Sequence, residues 1–193
     1  MKTPFSLREV TLDDAELILK WRTSEKVTKF MNSDVANDID EQEQWISDCY
    51  NKKTYYHWII LYNKLPVGLI NIQDYSEQNR TLSWGFYIGE NNIDGLGAFI
   101  PPFFYNWVFN KLGIKEIKIE VFFSNTRVIK MHQLHGYKFT PSFDRVIHKD
   151  NEDISLVSMS LTSSDWNHNR YKNFLMKFPV NNWSKAPSLI QTQ

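Results

Sequence analysis

The sequence predicts an α+β domain, a mixed α/β fold with a central, twisted, mostly antiparallel sheet of about seven strands and helices on its flanks. Three observations carry that expectation. Strand-like runs at 56–62, 66–73 and 81–89 follow one another across short polar breaks, as an antiparallel meander does. The pattern then changes to a glycine turn, a long apolar segment, a strand, a short amphipathic helix and two more strands. The glycine turn itself, Asn92-Ile93-Asp94-Gly95-Leu96-Gly97-Ala98, lies between a strand and a helix. In that order glycines let successive N–H groups face one concavity, and the positive end of the following helix adds to the pull on a phosphate.

Taken in order, residues 5–10 alternate as a first strand. Leu12-Asp13-Asp14 opens a helix that Ala15, Ile18, Leu19 and Trp21 carry through Arg22 to Thr23. A second helix begins after Asp38-Ile39-Asp40 and runs through Gln42 to about Tyr50, with Trp45, Ile46 and Cys49 spaced for one buried face. Asn63-Lys64 and the polar stretch 74–80 separate the meander strands. The apolar segment ending near Leu112 holds Phe103-Phe104-Tyr105 and Trp107-Val108-Phe109, read as the buried face of a helix against the sheet. Pro101 and Pro102 would break backbone bonds inside it, so the expectation is an extended cradle loop or a helix that restarts at Pro101. A strand at 117–123 leads to Asn125, an expected cap for a helix that stops at Gly136. Strands at 137–149 and 154–161 join across 150–153, and from Ser163 a short helix precedes a loose tail.

At 193 residues, 42% hydrophobic and 15% aromatic, the chain suits one globular unit with ample core. Lys and Arg total 22 against 22 Asp and Glu, so no whole-chain field draws nucleic acid or an anionic membrane, and small molecules are the expected partners. The single cysteine, Cys49, excludes an internal disulfide and a multi-cysteine metal site; packing is its expected role, and no metal is called for. No apolar run approaches the ~20 residues of a membrane span and the N-terminus lacks a signal-peptide core, which makes a cytoplasmic location the expectation.

The second motif is Asn125-Thr-Arg-Val-Ile-Lys-Met-His-Gln-Leu-His-Gly-Tyr137. With the glycine turn it resembles the two signature segments of the GNAT superfamily of acyl-CoA-dependent N-acyltransferases: an Arg/Gln-x-x-Gly-x-Gly/Ala turn, then an Asn-led helix ending in Gly-Phe/Tyr. The resemblance implies a sheet splayed in its middle, a domain over 1–162, and a C-terminal helix and tail over 163–193. Acetyl-CoA is the implied acyl donor. Backbone groups of Phe86, Tyr87 and Ile88 would pair with its pantetheine arm and polarise the thioester, while amides of Asn92, Ile93, Asp94, Gly95, Leu96 and Gly97 hold the pyrophosphate. Asn125 and Lys130 would meet the cofactor from the other wall. Asn92 stands where the family usually has Arg or Gln, so the turn would act through its amides. Gly85 is where a strand bulge could sit, or equally a site of close packing.

Acyl transfer needs a neutral amine and a proton donor for the departing thiolate. Aligning Asn125 and Gly136 on the motif puts His132 where the family commonly has tyrosine, making it the candidate acid; the alternative is a histidine that only lines the helix face. His135, beside the helix-ending Gly136, reads as a cation at a negative helix terminus. Glu120 and Asp74 are possible bases, though each is as ordinary as a solvated strand or turn residue, and a water relay would leave no trace in sequence.

The N-terminal half narrows the acceptor. Trp21-Arg22, Val27-x-x-Phe30-Met31, Gln44-Trp45-Ile46, Trp58-Ile59-Ile60, Pro66-Val67-Gly68 and Trp84-Gly85-Phe86-Tyr87-Ile88-Gly89 resemble one GNAT subgroup, the N-acetyltransferases of pseudaminic acid biosynthesis that act on a UDP-4-amino-4,6-dideoxy sugar. That resemblance implies a UDP-amino sugar lying against Arg22, Met31, Gln42, Gln73, Asp74 and Tyr87. A guanidinium such as Arg22 can grip a diphosphate through two parallel bonds, or else form a surface salt bridge to Asp13 or Glu25. The expected reaction is direct attack of the sugar's 4-amino group on acetyl-CoA in a ternary complex, with the product feeding flagellin or surface glycan modification. Another amine remains open: a different nucleotide amino sugar, a polyamine or a protein N-terminus. The acidic stretch Asp34, Asp38, Asp40, Glu41 and Glu43 would suit such a cation or form a solvated helix start. So does a non-catalytic acyl-CoA-binding module. A homodimer is among the assemblies left open.

Overall fold

The structure is a computed structural model that describes residues 5–52, 55–91, 93 and 95–173. Asn92, Asp94 and the tail beyond residue 173 lie outside the described residues. Strand β1 (Phe5–Glu9) leads through a single 3-10 turn into α1 (Ala15–Arg22), α2 (Glu25–Thr28) and α3 (Ile39–Asn51). The meander follows as β2 (Tyr56–Tyr62), β3 (Leu65–Ser76) and β4 (Thr81–Ile88). Then come α4 (Leu96–Asn110), β5 (Glu116–Phe122), α5 (Thr126–Leu134), β6 (Lys138–Phe139), β7 (Arg145–Lys149), β8 (Glu152–Thr162) and α6 (Ser163–Asn167). Helix α2 escaped the sequence reading because four residues with one buried side chain, Val27, leave no periodic pattern.

One eight-stranded sheet runs β1-β2-β3-β4-β5-β8-β6, with β7 also on β8. Among the described residues, only the β4–β5 pair is parallel. The count exceeds the expected seven because the run 137–149 is broken. Pro141 starts a short turn, and Thr140 and Asp144 clip it to the backbone of Ser158, so β6 and β7 pair separately with β8.

Alternate strand residues face opposite layers. Trp58, Ile60, Ile70, Leu82 and Trp84 join the aromatic face of α4 and Ile129 of α5. Ile59 and Leu69 point the other way, into a cluster with Ala15, Ile18, Trp21 and Ile46 of α1 and α3. Neither expectation for Pro101 and Pro102 is met: α4 is continuous and both prolines lie inside it. Each costs about 3 kcal/mol. Burial of Ile100, Phe103, Phe104, Tyr105 and Val108, at roughly 1.5–3 kcal/mol per side chain, outweighs that. Beyond β8, Trp166 is fully buried and its Nε1 donates to Asn106 Oδ1 of α4 at 2.8 Å, so α6 completes the core.

Candidate active site

The sheet opens between β4 and β5. Strand β4 keeps its partner β3 in unbroken register from Gly68↔Ile88 to Gln73↔Ser83, but meets β5 only at Thr81↔Glu116, Leu82↔Ile117 and Ser83↔Lys118. Strand β5 meanwhile follows β8 as far as Phe122↔Leu156. The two strands therefore diverge after Ser83, and among the described strands the edge of β4 from Trp84 to Ile88 faces a slot with no ladder partner on that side. The register runs straight through Asn71↔Gly85, so the bulge considered at Gly85 is absent; the irregularity lies between Gln73 and Ser76, where Asp74 has a φ of 51°. The departure of β5, not a kink in β4, opens the slot.

At the open end stands the cradle. Gly95 precedes α4 with a φ of 81°, a left-handed conformation that a side chain would strain. Of the first-turn amides of α4, that of Ala98 donates to Gly95 O at 3.0 Å, and those of Leu96 and Gly97 lie at the positive end of the helix dipole. Gly97 would bring a Cβ to 3.6 Å of the Phe86 ring, Leu96 is buried, and Ile93 packs against the core. Across the slot, the Asn125 N–H donates to Phe122 O at 2.8 Å, fixing the start of α5 at the end of β5. The Asn125 side chain makes no capping bond, contrary to the cap expected of it, and Lys130 is exposed on the same helix.

His132 faces inward from α5. The Tyr105 hydroxyl lies 3.3 Å from its Nδ1, the Tyr137 ring 4.8 Å away, and the Trp84 ring 6.3 Å away, edge to face. Burial, with the adjacent His135, lowers its pKa to about 3, so it is a neutral imidazole near pH 7. His135 is neutral too: burial holds its pKa at about 4, which corrects the expectation of a cation at the helix end. Glu120 is engaged by Arg145 through two bonds of 2.7 Å, and the exposed Asp74 takes the Tyr55 hydroxyl at 3.4 Å.

On the opposite face, α1 and α2 border the slot. Trp21 seats directly on Gly89, where a Cβ would come within 2.2 Å of the indole, and Trp21 Nε1 donates to Glu90 Oε1 at 2.9 Å. Arg22 does not form the surface salt bridge considered for it. Its guanidinium donates to Ser33 O at 3.0 Å, and burial lowers its pKa against the fields of Tyr87 and Asp34. Among the described residues, Arg22 Nε and the Tyr87 hydroxyl are buried without a hydrogen-bond partner, and burial raises the Tyr87 pKa. Buried polar atoms of this kind are costly unless something satisfies them. Gln42, 3% exposed, lies on the inner face of α3 with Ile46 and Cys49, and its Nε2 is likewise unpartnered. Gln73 shares the Tyr87 face of the sheet, but opposite Ser83 at the closed end, about 13 Å along the strand. The structure thus groups Arg22, Tyr87 and the segment after α2 that carries Met31, and leaves Gln73 and Asp74 apart. Sequence reasoning missed Ser33 and the buried Lys149, whose Nζ donates to Thr28 O and Met31 O at 2.7 and 3.1 Å. Separations of 121 and 118 residues leave no local signal of those bonds.

A parallel strand pair parted at one end, with a helix N-terminus at the opening, is the cleft of an acyl-coenzyme A-dependent acyltransferase. The chain belongs to the acetyltransferase (GNAT) domain family, which matches residues 5–138, and it is an N-acetyltransferase whose acyl donor is acetyl-CoA. It is similar to acetyltransferase PseH of Campylobacter jejuni, with 21% identity over 129 residues, 67% of this chain and 80% of that protein. It also resembles the uncharacterized protein MJ1062 of Methanocaldococcus jannaschii, 26% identical over 140 residues, 69% of this chain but only 28% of that protein. Among solved structures, the spermidine N-acetyltransferase from Vibrio cholerae, in complex with CoA and spermine, superposes with a TM-score of 0.77 over 86% of this chain and 99% of that one. At 13% identity this is a likeness of fold.

Proposed function

We propose that the chain acetylates the 4-amino group of a UDP-linked 4-amino-4,6-dideoxy sugar, a step of pseudaminic acid synthesis. The reading starts from the N-terminal segments that resemble that subgroup, and the match to a Campylobacter acetyltransferase supports it. The observation that carries it is the charge of the acceptor side. Arg22 presents a half-buried guanidinium there whose bonds go to Ser33 O and Oγ, a donor set suited to a diphosphate and hostile to a polycation. Two of the nearby acids are engaged. Asp34 pairs with Lys149 at 3.0 Å, Asp38 caps α3, and Asp40, Glu41 and Glu43 are exposed at the start of that helix.

In the reaction the neutral amine attacks the thioester carbon, the carbon–sulfur bond breaks, and the amine's proton is lost as the sulfur gains one. Main-chain groups of Phe86, Tyr87 and Ile88 would hold the pantetheine arm, and the cradle amides the pyrophosphate. His132 would serve the leaving sulfur in the form its burial permits, a neutral N–H donor rather than an imidazolium. The test is free thiol release from acetyl-CoA with a panel of amines: the UDP-4-amino-dideoxy sugar, other amino-sugar nucleotides, spermidine and a peptide. Release with the UDP sugar alone supports the proposal. Release with spermidine alone, or acetyl-CoA binding with no release from any amine, overturns it.

A further inference from the structure

We infer that Lys149 is a positioning residue for the acceptor: it latches residues 28–34 across the open end of the slot and so holds Arg22 in place. The inference rests on the acyl-transfer reading of the slot, not on which amine is used.

The stretch 21–34 that contains the segment is tied to both legs of the splay. On the β4 leg, Lys26 Nζ donates to Glu90 O at 2.6 Å and Trp21 holds the Glu90 carboxylate. On the β5 leg, the Phe30 ring meets Phe122, the last residue of β5, edge to face at 6.4 Å. Lys149 fastens the same side from further out. Its hairpin, closed by Asp150 and Asn151 with φ of 53° and 62°, carries β7 and β8 beyond the end of β5. There Nζ donates to the carbonyls of Thr28 and Met31 and pairs with Asp34 Oδ1, three acceptors for the three protons of an ammonium only 6% exposed.

Residues 28–31 continue the turns of α2, with Thr28 Oγ1 donating to Arg22 O and the N–H groups of Phe30 and Met31 donating to Val27 O and Thr28 O, but little of the segment is buried. Phe30 is 37% exposed, and residues 32–34 are exposed. Without the ammonium, apolar burial alone would not hold them over the slot. Yet Ser33 O is what the Arg22 guanidinium grips. A continuous chain of contacts therefore runs from the tip of the β7–β8 hairpin through Met31 and Ser33 to the guanidinium that faces the acceptor.

The test compares the wild-type chain with Lys149→Met and Lys149→Arg. Steady-state kinetics use whichever panel amine releases thiol, and hydrogen exchange follows residues 26–34. Lys149→Met should raise the acceptor KM about tenfold, the weight of a lost charge-assisted hydrogen bond, and leave the acetyl-CoA KM within about twofold. Exchange across 26–34 should quicken, and Lys149→Arg should restore most of both. If Lys149→Met does not fold, Phe30→Ala loosens the same leg from a partly exposed site and should raise the acceptor KM about threefold. Equal changes in the two KM values, or unchanged exchange in 26–34, overturn the latch. Should no amine release thiol, the acceptor reading fails, while the exchange comparison still decides the latch by itself.

Discussion

Replacing His135 by phenylalanine separates the cost of keeping an imidazole neutral from everything else that acid does to this fold. The ring is 5% exposed, in contact with Tyr105, Trp166 and Tyr171 at centroid distances of 5.6, 6.4 and 5.4 Å. Its Nδ1 is buried without a partner among the described residues. Burial sets the folded-state pKa at about 4, below the ordinary 6.5. The unfolded chain therefore takes up the proton first, and the stability owed to a neutral ring is whole above pH 6.5 and is lost as the pH falls toward 4. At pH 5 the unfolded imidazole is ~97% protonated and the folded one ~10%, a difference of about 2 kcal/mol that is nearly absent at pH 7. Phenylalanine keeps the ring contacts and removes both the titration and the unpartnered nitrogen. Urea unfolding followed by tryptophan fluorescence at pH 7 and pH 5 should find the wild type losing about 2 kcal/mol more than His135→Phe over that interval. Equal losses would refute the reasoning, because His57 and His132, whose pKa values burial also lowers, are common to both proteins.

Three further outcomes follow from the same geometry. Gly89→Ala forces a methyl group into the Trp21 indole and should cost about 1–3 kcal/mol, lowering the melting temperature by several degrees in a calorimetric scan. Arg22→Met should reduce acceptor kcat/KM about a hundredfold, with acetyl-CoA affinity unchanged by calorimetry; a polyamine acceptor would gain instead, since the change removes a repelling cation. His132→Gln should lower turnover and spare acetyl-CoA affinity, and unchanged turnover would take His132 out of the mechanism.

The layers of the fold were legible because local signals agreed: alternation in β1, the strand-like runs of β2 and β4, the Gly95 turn and the Gly136 stop each match one period or one cap. Where the sequence misled, a long-range term had won over a local rule. Pro101 and Pro102 argue against a helix that the burial of Phe103, Phe104 and Tyr105 then enforces. The strand pattern at 137–149 hides a turn closed by its own backbone bonds and held to the sheet by contacts with Ser158. The Gly95 turn and α5 could be found because each is contiguous in sequence. The neutrality of His135 and the bonds of Lys149 and Ser33 could not, since burial and distant carbonyls determine them.

The short parallel contact between β4 and β5 also decides what a mutational survey of this protein can see. An edge that offers main-chain N–H and C=O groups presents the same chemistry whatever side chains flank it. On the proposed reading of the site, substitutions from Trp84 to Ile88 should report on expression and melting far more than on selectivity for the donor, whereas substitutions at Arg22 or Ser33 should alter which acceptor is taken. A library built to change the donor should vary the divergence of the two strands, through the length and register of β5, and leave residue identity along β4 alone.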